Sequence, residues 1–204
     1  MPRRAILLAV LGLLAGMSTA FLMLPEARRK LLPAGDGLAS IGKAQIGGPF
    51  TLVDHTGKAV TDRDFRGRYM LVYFGFTHCP DICPSSLQIM SAALDRIGPL
   101  GERVTPVFIS VDHERDTPAQ LALYVKSFHP RLVGASGTAE QIAAVTKAYR
   151  VYFAKVKDEK SSADYTIDHT SILYLMDTKG EFVTHFTHTA SVDAVADRLR
   201  KVLQ

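Results

Sequence analysis

The stretch that most constrains the fold of this chain is GFTHCPDICP, residues 75–84, which holds its only two cysteines, Cys79 and Cys83. An apolar run over residues 69–76 leads into it and predicts a buried strand. The segment after Pro84 has apolar residues at helical spacing, and we expect regular helix to begin near that proline. The cysteines are therefore expected at a strand-to-helix turn, where free N–H groups and the helix dipole favour thiolates.

The spacing of the two cysteines leaves three interpretations open. Helical spacing would place the Cα atoms roughly 6 Å apart, which a disulfide tolerates. The pair could be a structural bridge in an exported domain, although so small a loop adds little stability. It could be a redox pair, although the thioredoxin motif is CxxC and this chain has CxxxC. It could also supply two soft sulfur ligands to one metal ion.

Strands and helices alternate along the rest of the chain and predict an α/β sheet. A β-hairpin is predicted over residues 50–60, a second buried strand over 104–111, and helices over 118–128, 138–149 and 192–203. Shorter strands are predicted at 151–156, 171–176 and 181–186, with a polar loop between the first two. The closing hairpin and helix are typical of thioredoxin. We therefore expect residues 46–204 to form a thioredoxin-like α/β domain with an N-terminal β-hairpin.

The amino-terminal segment predicts a single transmembrane helix ahead of this domain. Residues 1–4 are a short basic segment, residues 5–25 form an uncharged run, and residues 26–45 are a linker. As a helix the run would be about 30 Å long, which matches a bilayer core and exceeds the apolar part of a cleavable signal peptide. Small residues at Ser18 and Ala20 leave cleavage as the alternative. The net charge of +4 favours a membrane surface over nucleic acid.

A second candidate stretch is Asp168-His169-Thr170, at the end of the polar loop and just before an apolar strand. In thioredoxin-like topology this entry loop faces the cysteine turn, and redox enzymes usually carry a cis-proline there. Here a histidine occupies it. An imidazole beside two thiolates completes a soft three-ligand site that suits Cu(I), with zinc as the chief competitor. We therefore predict a metal site formed by Cys79, Cys83 and His169.

The remaining polar candidates are weaker. If the segment before Cys79 is extended, His78 points away from the cysteines and is at most a modulator. Asp81 and Asp168 are interpreted as turn or capping residues, with hydrogen bonding to a ligand or weak metal ligation as the alternative. The other histidines have no partner visible in the sequence or are expected in solvent; they are His55, His113, His129, His185 and His188.

Four motifs closely resemble the Sco (SenC) proteins: GFTHCPDICP, SVDHERDTP, GTAEQIAAVTKAYRVYF and DYTIDHTSILYLMD. The resemblance runs from about residue 46 to the end of the chain. It implies a membrane-anchored, thioredoxin-like copper chaperone that helps to build the CuA centre of cytochrome c oxidase subunit II. It assigns the copper thiolates to Cys79 and Cys83 and the imidazole to His169. His113 and His129 depart from the Pro and Asp that this family more often carries at those positions.

The resemblance further implies where the chain works and with which partners. We expect a bacterial inner-membrane protein, single-pass, with its domain in the periplasm. Expected partners are subunit II, another periplasmic copper chaperone and a thiol reductant. Copper is expected to bind as Cu(I) while the cysteines are reduced, and binding of Cu(II) is the alternative. Disulfide formation is expected to release the metal from the site. The alternative is a thiol-disulfide oxidoreductase or thiol peroxidase in which Cys79 attacks and Cys83 resolves; a redox or copper sensor is a third interpretation.

Overall fold

The computed structural model describes residues 45–157 and 164–204. The predicted basic segment, the transmembrane helix of residues 5–25 and nearly all of the linker lie outside these ranges. Within them, no helix is both long and apolar enough to cross a bilayer.

The described residues form a seven-stranded sheet and a separate two-stranded one. The strands are β1 (Thr51–Asp54), β2 (Ala59–Thr61), β3 (Tyr69–Gly75), β4 (Val104–Ser110), β5 (Val133–Ser136), β6 (Phe153–Lys157), β7 (Tyr165–His169), β8 (Ile172–Met176) and β9 (Phe182–Thr187). The large sheet has the order β2-β1-β5-β4-β3-β8-β9, and β6 pairs with β7 in the small sheet. The predicted N-terminal hairpin is confirmed as the antiparallel pair β1 and β2.

The centre of the large sheet brings two loops together. β3 and β4 are parallel neighbours, with Gly75 opposite Ser110 at their carboxyl ends. Side chains on both faces of β3 are buried, which is why its sequence is a continuous apolar run. Both strands end at the same edge of the sheet. The cysteine loop (residues 76–81) therefore leaves β3 beside the 112–116 turn that follows β4.

Within the described ranges, four α-helices pack around the sheet: α1 (Ile82–Arg96), α2 (Pro118–Val125), α3 (Ala139–Tyr149) and α4 (Val192–Leu203). Thr117 and Thr138 cap α2 and α3, because each accepts a hydrogen bond from the backbone of the first helical turn. α4 buries its apolar face and contacts α1. Together with the central strands, this arrangement confirms the thioredoxin-like α/β class.

α1 begins earlier than predicted, at Ile82. Pro84 is the third helical residue, and N–H groups of the first turn have no acceptor within the helix, so a proline is tolerated there. The first helical i to i−4 bond runs from Ser85 N–H to the carbonyl of Asp81, at 3.1 Å. Cys83 consequently lies inside the first turn of the helix, and Cys79 lies just outside it.

The predicted polar loop was wrong at its carboxyl end, where residues 165–169 form β7. This strand pairs with β6, and His169 lies opposite Phe153. Its apolar side chain, Ile167, is buried, while Asp168 faces solvent. β5 was also missed, because four residues that include a glycine give too weak a strand signal.

Candidate metal centre

The two cysteines meet at the amino end of α1. Cys83 is fully buried, whereas Cys79 is partly exposed. Both are free thiols, and the backbone N–H of Cys83 donates to Cys79 Sγ over 3.3 Å. The cysteine loop is closed by a hydrogen bond from Cys79 N–H to the carbonyl of Phe76, at 3.3 Å. The predicted strand-to-helix placement thus directs a free helix N–H at a sulfur atom.

The pKa values of the two thiols are shifted in opposite directions. Hydrogen bonds from the Cys83 side chain first, then from His169 and the backbone, lower the pKa of Cys79 to about 4. The pKa of Cys83 is raised, because its proton is shared with Cys79, its sulfur is buried and a second negative charge would lie beside the first. At neutral pH the apo site therefore holds one thiolate, on Cys79, and one thiol.

We expect iodoacetamide to modify Cys79 and spare Cys83 in the reduced chain. Because the pKa of Cys79 is about 4, its thiolate population is nearly constant between about pH 5 and pH 7. The alkylation rate, followed by mass spectrometry, should therefore be nearly flat over this range. An ordinary thiol would react about tenfold faster per pH unit here, and such a slope at Cys79 would contradict the assignment.

His169 reaches the cysteines from the end of β7. Its Nε2 lies 3.4 Å from Cys83 Sγ, and its Nδ1 lies 3.2 Å from the carbonyl oxygen of Thr170. A backbone acceptor at Nδ1 favours the tautomer that leaves Nε2 free as a ligand. Tyr73 and Phe76 flank the imidazole in T-shaped arrangements, with ring centroids 6.1 and 5.9 Å away. The structure thus brings all three predicted residues together, with one ligand atom of each within 4.8 Å of the others.

Close packing of apolar residues surrounds the buried sulfur. A Cβ on Gly75 would lie 2.7 Å from Cys83 Sγ and 3.1 Å from both Phe108 and Tyr73, so only glycine leaves room for the sulfur. The Tyr73 hydroxyl is buried without a hydrogen-bond partner among the described residues. Burial raises the pKa of the Tyr73 hydroxyl. The phenol is therefore neutral, and the sulfur sits in a largely apolar pocket.

Sequence reasoning missed a second cluster, formed by His78, Asp112 and Asp116. One ligand atom of each lies within 4.8 Å of the others, and both aspartates are buried. Asp116 accepts hydrogen bonds from the backbone and hydroxyl of Thr77, at 2.8 and 2.6 Å. Asp112 accepts hydrogen bonds from the side chains of Arg115 and Tyr165. Because protein donors already bind these carboxylate oxygens, the cluster stabilises the loops around it through hydrogen bonds. The sequence signal that could have revealed it is the pair of aspartates in the turn after a central strand.

The weaker candidates have ordinary roles in the fold. His78 is exposed and lies with Asp116 rather than with the cysteine pair. Asp81 occupies the N-cap position of α1, but its carboxylate accepts no hydrogen bond from a helix N–H; it accepts one from the Ser85 hydroxyl at 3.3 Å. Three of the histidines have a local explanation: His55 and His129 accept backbone hydrogen bonds, and His185 is exposed.

Comparison with known proteins identifies the family. Residues 39–204 match the family model described as SCO1/SenC. The chain belongs to this family. It is 47% identical over 166 residues to the mitochondrial SCO1 homolog 1 of Arabidopsis thaliana, which covers 81% of this chain and 49% of the plant protein. The chain spans about half to three fifths of the length of such SCO1 relatives.

Solved structures of Sco proteins confirm the thioredoxin-like Sco fold. Copper-bound ScoI of A. thaliana is 46% identical, with a TM-score of 0.73, and covers 77% of this chain and 98% of its own. Copper-bound ScoI of Bradyrhizobium japonicum is 48% identical, with a TM-score of 0.70, and covers 76% of this chain and 98% of its own. Both of these Sco proteins hold copper.

Proposed function

We propose that this Sco protein binds copper through Cys79, Cys83 and His169 and serves in the assembly of cytochrome c oxidase. The observation that carries the proposal is the convergence of two sulfurs and an imidazole nitrogen within 4.8 Å. Two thiolates and one imidazole suit Cu(I), which accepts low coordination numbers, whereas structural zinc takes four ligands. The cluster offers three ligand residues among those described. Copper-bound relatives of the same fold support this assignment.

The two cysteine ligands differ in exposure, and this difference determines the side of the site from which copper can leave. Cys83 is buried and Cys79 is partly exposed, so an acceptor thiolate can reach the metal on the Cys79 side. Exchange of one ligand at a time would pass Cu(I) to the acceptor without releasing a free ion. We place this acceptor on the CuA site of cytochrome c oxidase subunit II, because Sco proteins are oxidase assembly factors.

The same cysteines support an accessory reductase role, which prepares the acceptor's thiols. The Cys79 thiolate would attack an acceptor disulfide and form a mixed disulfide, releasing one acceptor thiolate. Cys83 would then lose its proton and attack Cys79 Sγ, which frees the second acceptor thiol and leaves a Cys79–Cys83 disulfide. The low pKa of Cys79 and the burial of Cys83 favour this division of roles. A thiol reductant would return the pair to the copper-binding form.

The proposed location is the bacterial inner membrane, with the domain in the periplasm and residues 5–25 as a single transmembrane anchor. Family membership and the apolar character of that run support it. A second periplasmic copper chaperone would supply the metal. Nucleic acid is not an expected partner.

Copper transfer to an acceptor tests the proposed function. The reduced chain, loaded with one Cu(I), is mixed with an excess of the reduced soluble domain of subunit II, and copper is measured on each protein after separation. We expect most of the copper on subunit II, since two acceptor thiolates replace the ligands of the Sco site. Copper that stays on this chain would contradict delivery, and turnover of a peroxide or model disulfide without copper binding would favour the oxidoreductase alternative.

A further inference from the structure

His169 is carried by a hairpin that lies outside the large sheet. The histidine hairpin (β6 and β7) forms its own two-stranded sheet, and His169 is the last residue of β7. Apolar packing holds one side of it, since Ile167 is buried in the core and Phe153 packs against that core. β8, which starts at Ile172 soon after His169, pairs with β3, so the large sheet constrains only the carboxyl end of the hairpin. The rest of the hairpin lies outside that ladder, and other contacts must hold it.

The 112–116 turn supplies polar contacts to this hairpin. Arg115 Nη1 donates to the carbonyl of Tyr165 at 3.1 Å, and the Tyr165 hydroxyl donates to Asp112 Oδ1 at 2.7 Å. Arg115 Nε donates to Asp112 Oδ2 at 2.5 Å, which closes the ring of contacts. The guanidinium carbon lies 3.8 Å from the centroid of the Tyr165 ring, a distance at which a cation attracts an aromatic face. Lys155 of β6 pairs with Glu114 at 2.5 Å.

The same turn also holds the cysteine loop. Asp116 is 2% exposed and accepts both the backbone N–H and the hydroxyl of Thr77, two residues before Cys79. Arg115 lies 6.0 Å from the centroid of Phe76, whose ring in turn contacts His169. One five-residue turn is thus bonded to both segments that carry the ligands, and Cys83 and His169 on these segments are 86 residues apart in sequence.

We propose that the 112–116 turn is a clamp that positions His169 against the cysteine pair, with Arg115 and Tyr165 as the positioning residues on its histidine side. Neither residue contacts the metal ligand atoms; both act through the placement of β7. The inference deepens the proposed function and rests on it, because a clamp for His169 matters only if His169 is a copper ligand.

The test combines Arg115→Gln and Tyr165→Phe with His169→Ala, in single and double variants of the full chain. Arg115→Gln removes the charge that bridges Asp112 and β7. Tyr165→Phe removes only the hydroxyl bond to Asp112 and keeps the ring beneath the guanidinium, so it perturbs folding least. Arg66→Gln is the matched control, since Arg66 is an exposed arginine paired with Asp62 at 2.8 Å on the turn after β2. Cu(I) affinity is measured by competition with a chromophoric Cu(I) ligand, and thermal unfolding of each apo chain is recorded.

We expect Arg115→Gln to weaken Cu(I) binding about ten- to a hundredfold, the range typical of residues that orient a metal ligand. Tyr165→Phe should weaken it by a smaller factor, and Arg66→Gln should leave it unchanged. In the His169→Ala background, Arg115→Gln should change affinity by less than about twofold, because coupled residues are not additive. X-ray absorption of the Arg115→Gln complex should show two sulfur ligands with the nitrogen lost.

Two results would overturn the clamp. One is an equal loss on Arg115→Gln with and without His169, which would mean a general structural effect. The other is unchanged affinity and an unchanged nitrogen ligand in folded Arg115→Gln and Tyr165→Phe chains. Failure of the wild-type chain to bind Cu(I) would instead refute the proposed function, so the two failures are distinguishable.

Discussion

Replacement of Cys83 by serine is expected to abolish tight Cu(I) binding by the reduced chain. The Cys83 sulfur is fully buried and lies 3.4 Å from His169 Nε2, and the sequence has no cysteine besides Cys79 that could replace its thiolate. A serine hydroxyl is a hard, protonated oxygen that Cu(I) binds poorly. Loss of this ligand would leave one thiolate and one imidazole, and we expect the Cu(I) affinity to fall by at least about a hundredfold.

The measurement is Cu(I) affinity by ligand competition, with Cys79→Ser examined in parallel. Ser85→Ala is the matched control, because Ser85 lies in the same helical turn but is exposed, and its hydroxyl donates to the helix N-cap residue rather than to a proposed ligand. It should bind copper like the wild-type chain. Undiminished affinity in folded Cys83→Ser would remove Cys83 from the ligand set and return the site to a simple surface thiol.

Oxidation of the cysteine pair is expected to empty the site. The two sulfurs lie within 4.8 Å, and a disulfide requires about 2.05 Å, so closure of the bond removes both sulfur ligands after a small shift of the cysteine loop. His169 alone would remain, and a single imidazole does not retain Cu(I). The oxidised chain should therefore hold essentially no copper after gel filtration, whereas the reduced chain holds one ion.

Thiol counting and copper analysis of the same sample test this prediction. Reduction of the oxidised chain should restore binding, which separates disulfide formation from irreversible oxidation to sulfinic acid. Preloaded Cu(I) should also slow disulfide formation, since the metal occupies the nucleophile. An oxidised chain with no free thiol and a full complement of copper would contradict a site built on the cysteine sulfurs.

The cysteine half of the site could be predicted from the sequence because its determinants are local. A continuous apolar strand, two cysteines and a helical apolar period follow one another within residues 69–96, and each signal is readable in a short window. One error was the start of α1, where a proline was interpreted as the first helical residue although it occupies the third position. Such shifts are common, because the first helical turn tolerates proline throughout. The other error was the acidity of Cys83, which was expected to favour a thiolate, whereas its hydrogen bond with Cys79 and its burial raise its pKa.

The histidine half could be predicted only in part. His169 was identified from topology and residue chemistry, but β7 itself was interpreted as loop because its sequence, YTIDH, has a single strongly apolar residue. The strand exists because Ile167 is buried in the core and because β6 pairs with it. Neither partner is visible in a window around residue 167, so tertiary contacts overrode a weak local signal.

The 112–116 turn was missed for a different reason. Its motif was noted only as part of the family resemblance, although Asp112 and Asp116 are buried and bonded across the sheet edge. Their partners lie some forty to fifty residues away in sequence, at Thr77 and Tyr165. The parallel pairing of β3 with β4 could have predicted the contact with the cysteine loop, since such neighbours end at one edge. The contact with β7 required the hairpin to be known.

The most direct test of the central claim is X-ray absorption of the Cu(I)-loaded, reduced chain beside its His169→Ala variant. We predict one copper per chain bound by two sulfur ligands and one imidazole nitrogen, with the nitrogen absent and both sulfurs retained in the variant. A wild-type spectrum without nitrogen, or one identical to that of the variant, would contradict the three-ligand site. It would leave His169 as a structural residue beside a two-cysteine site.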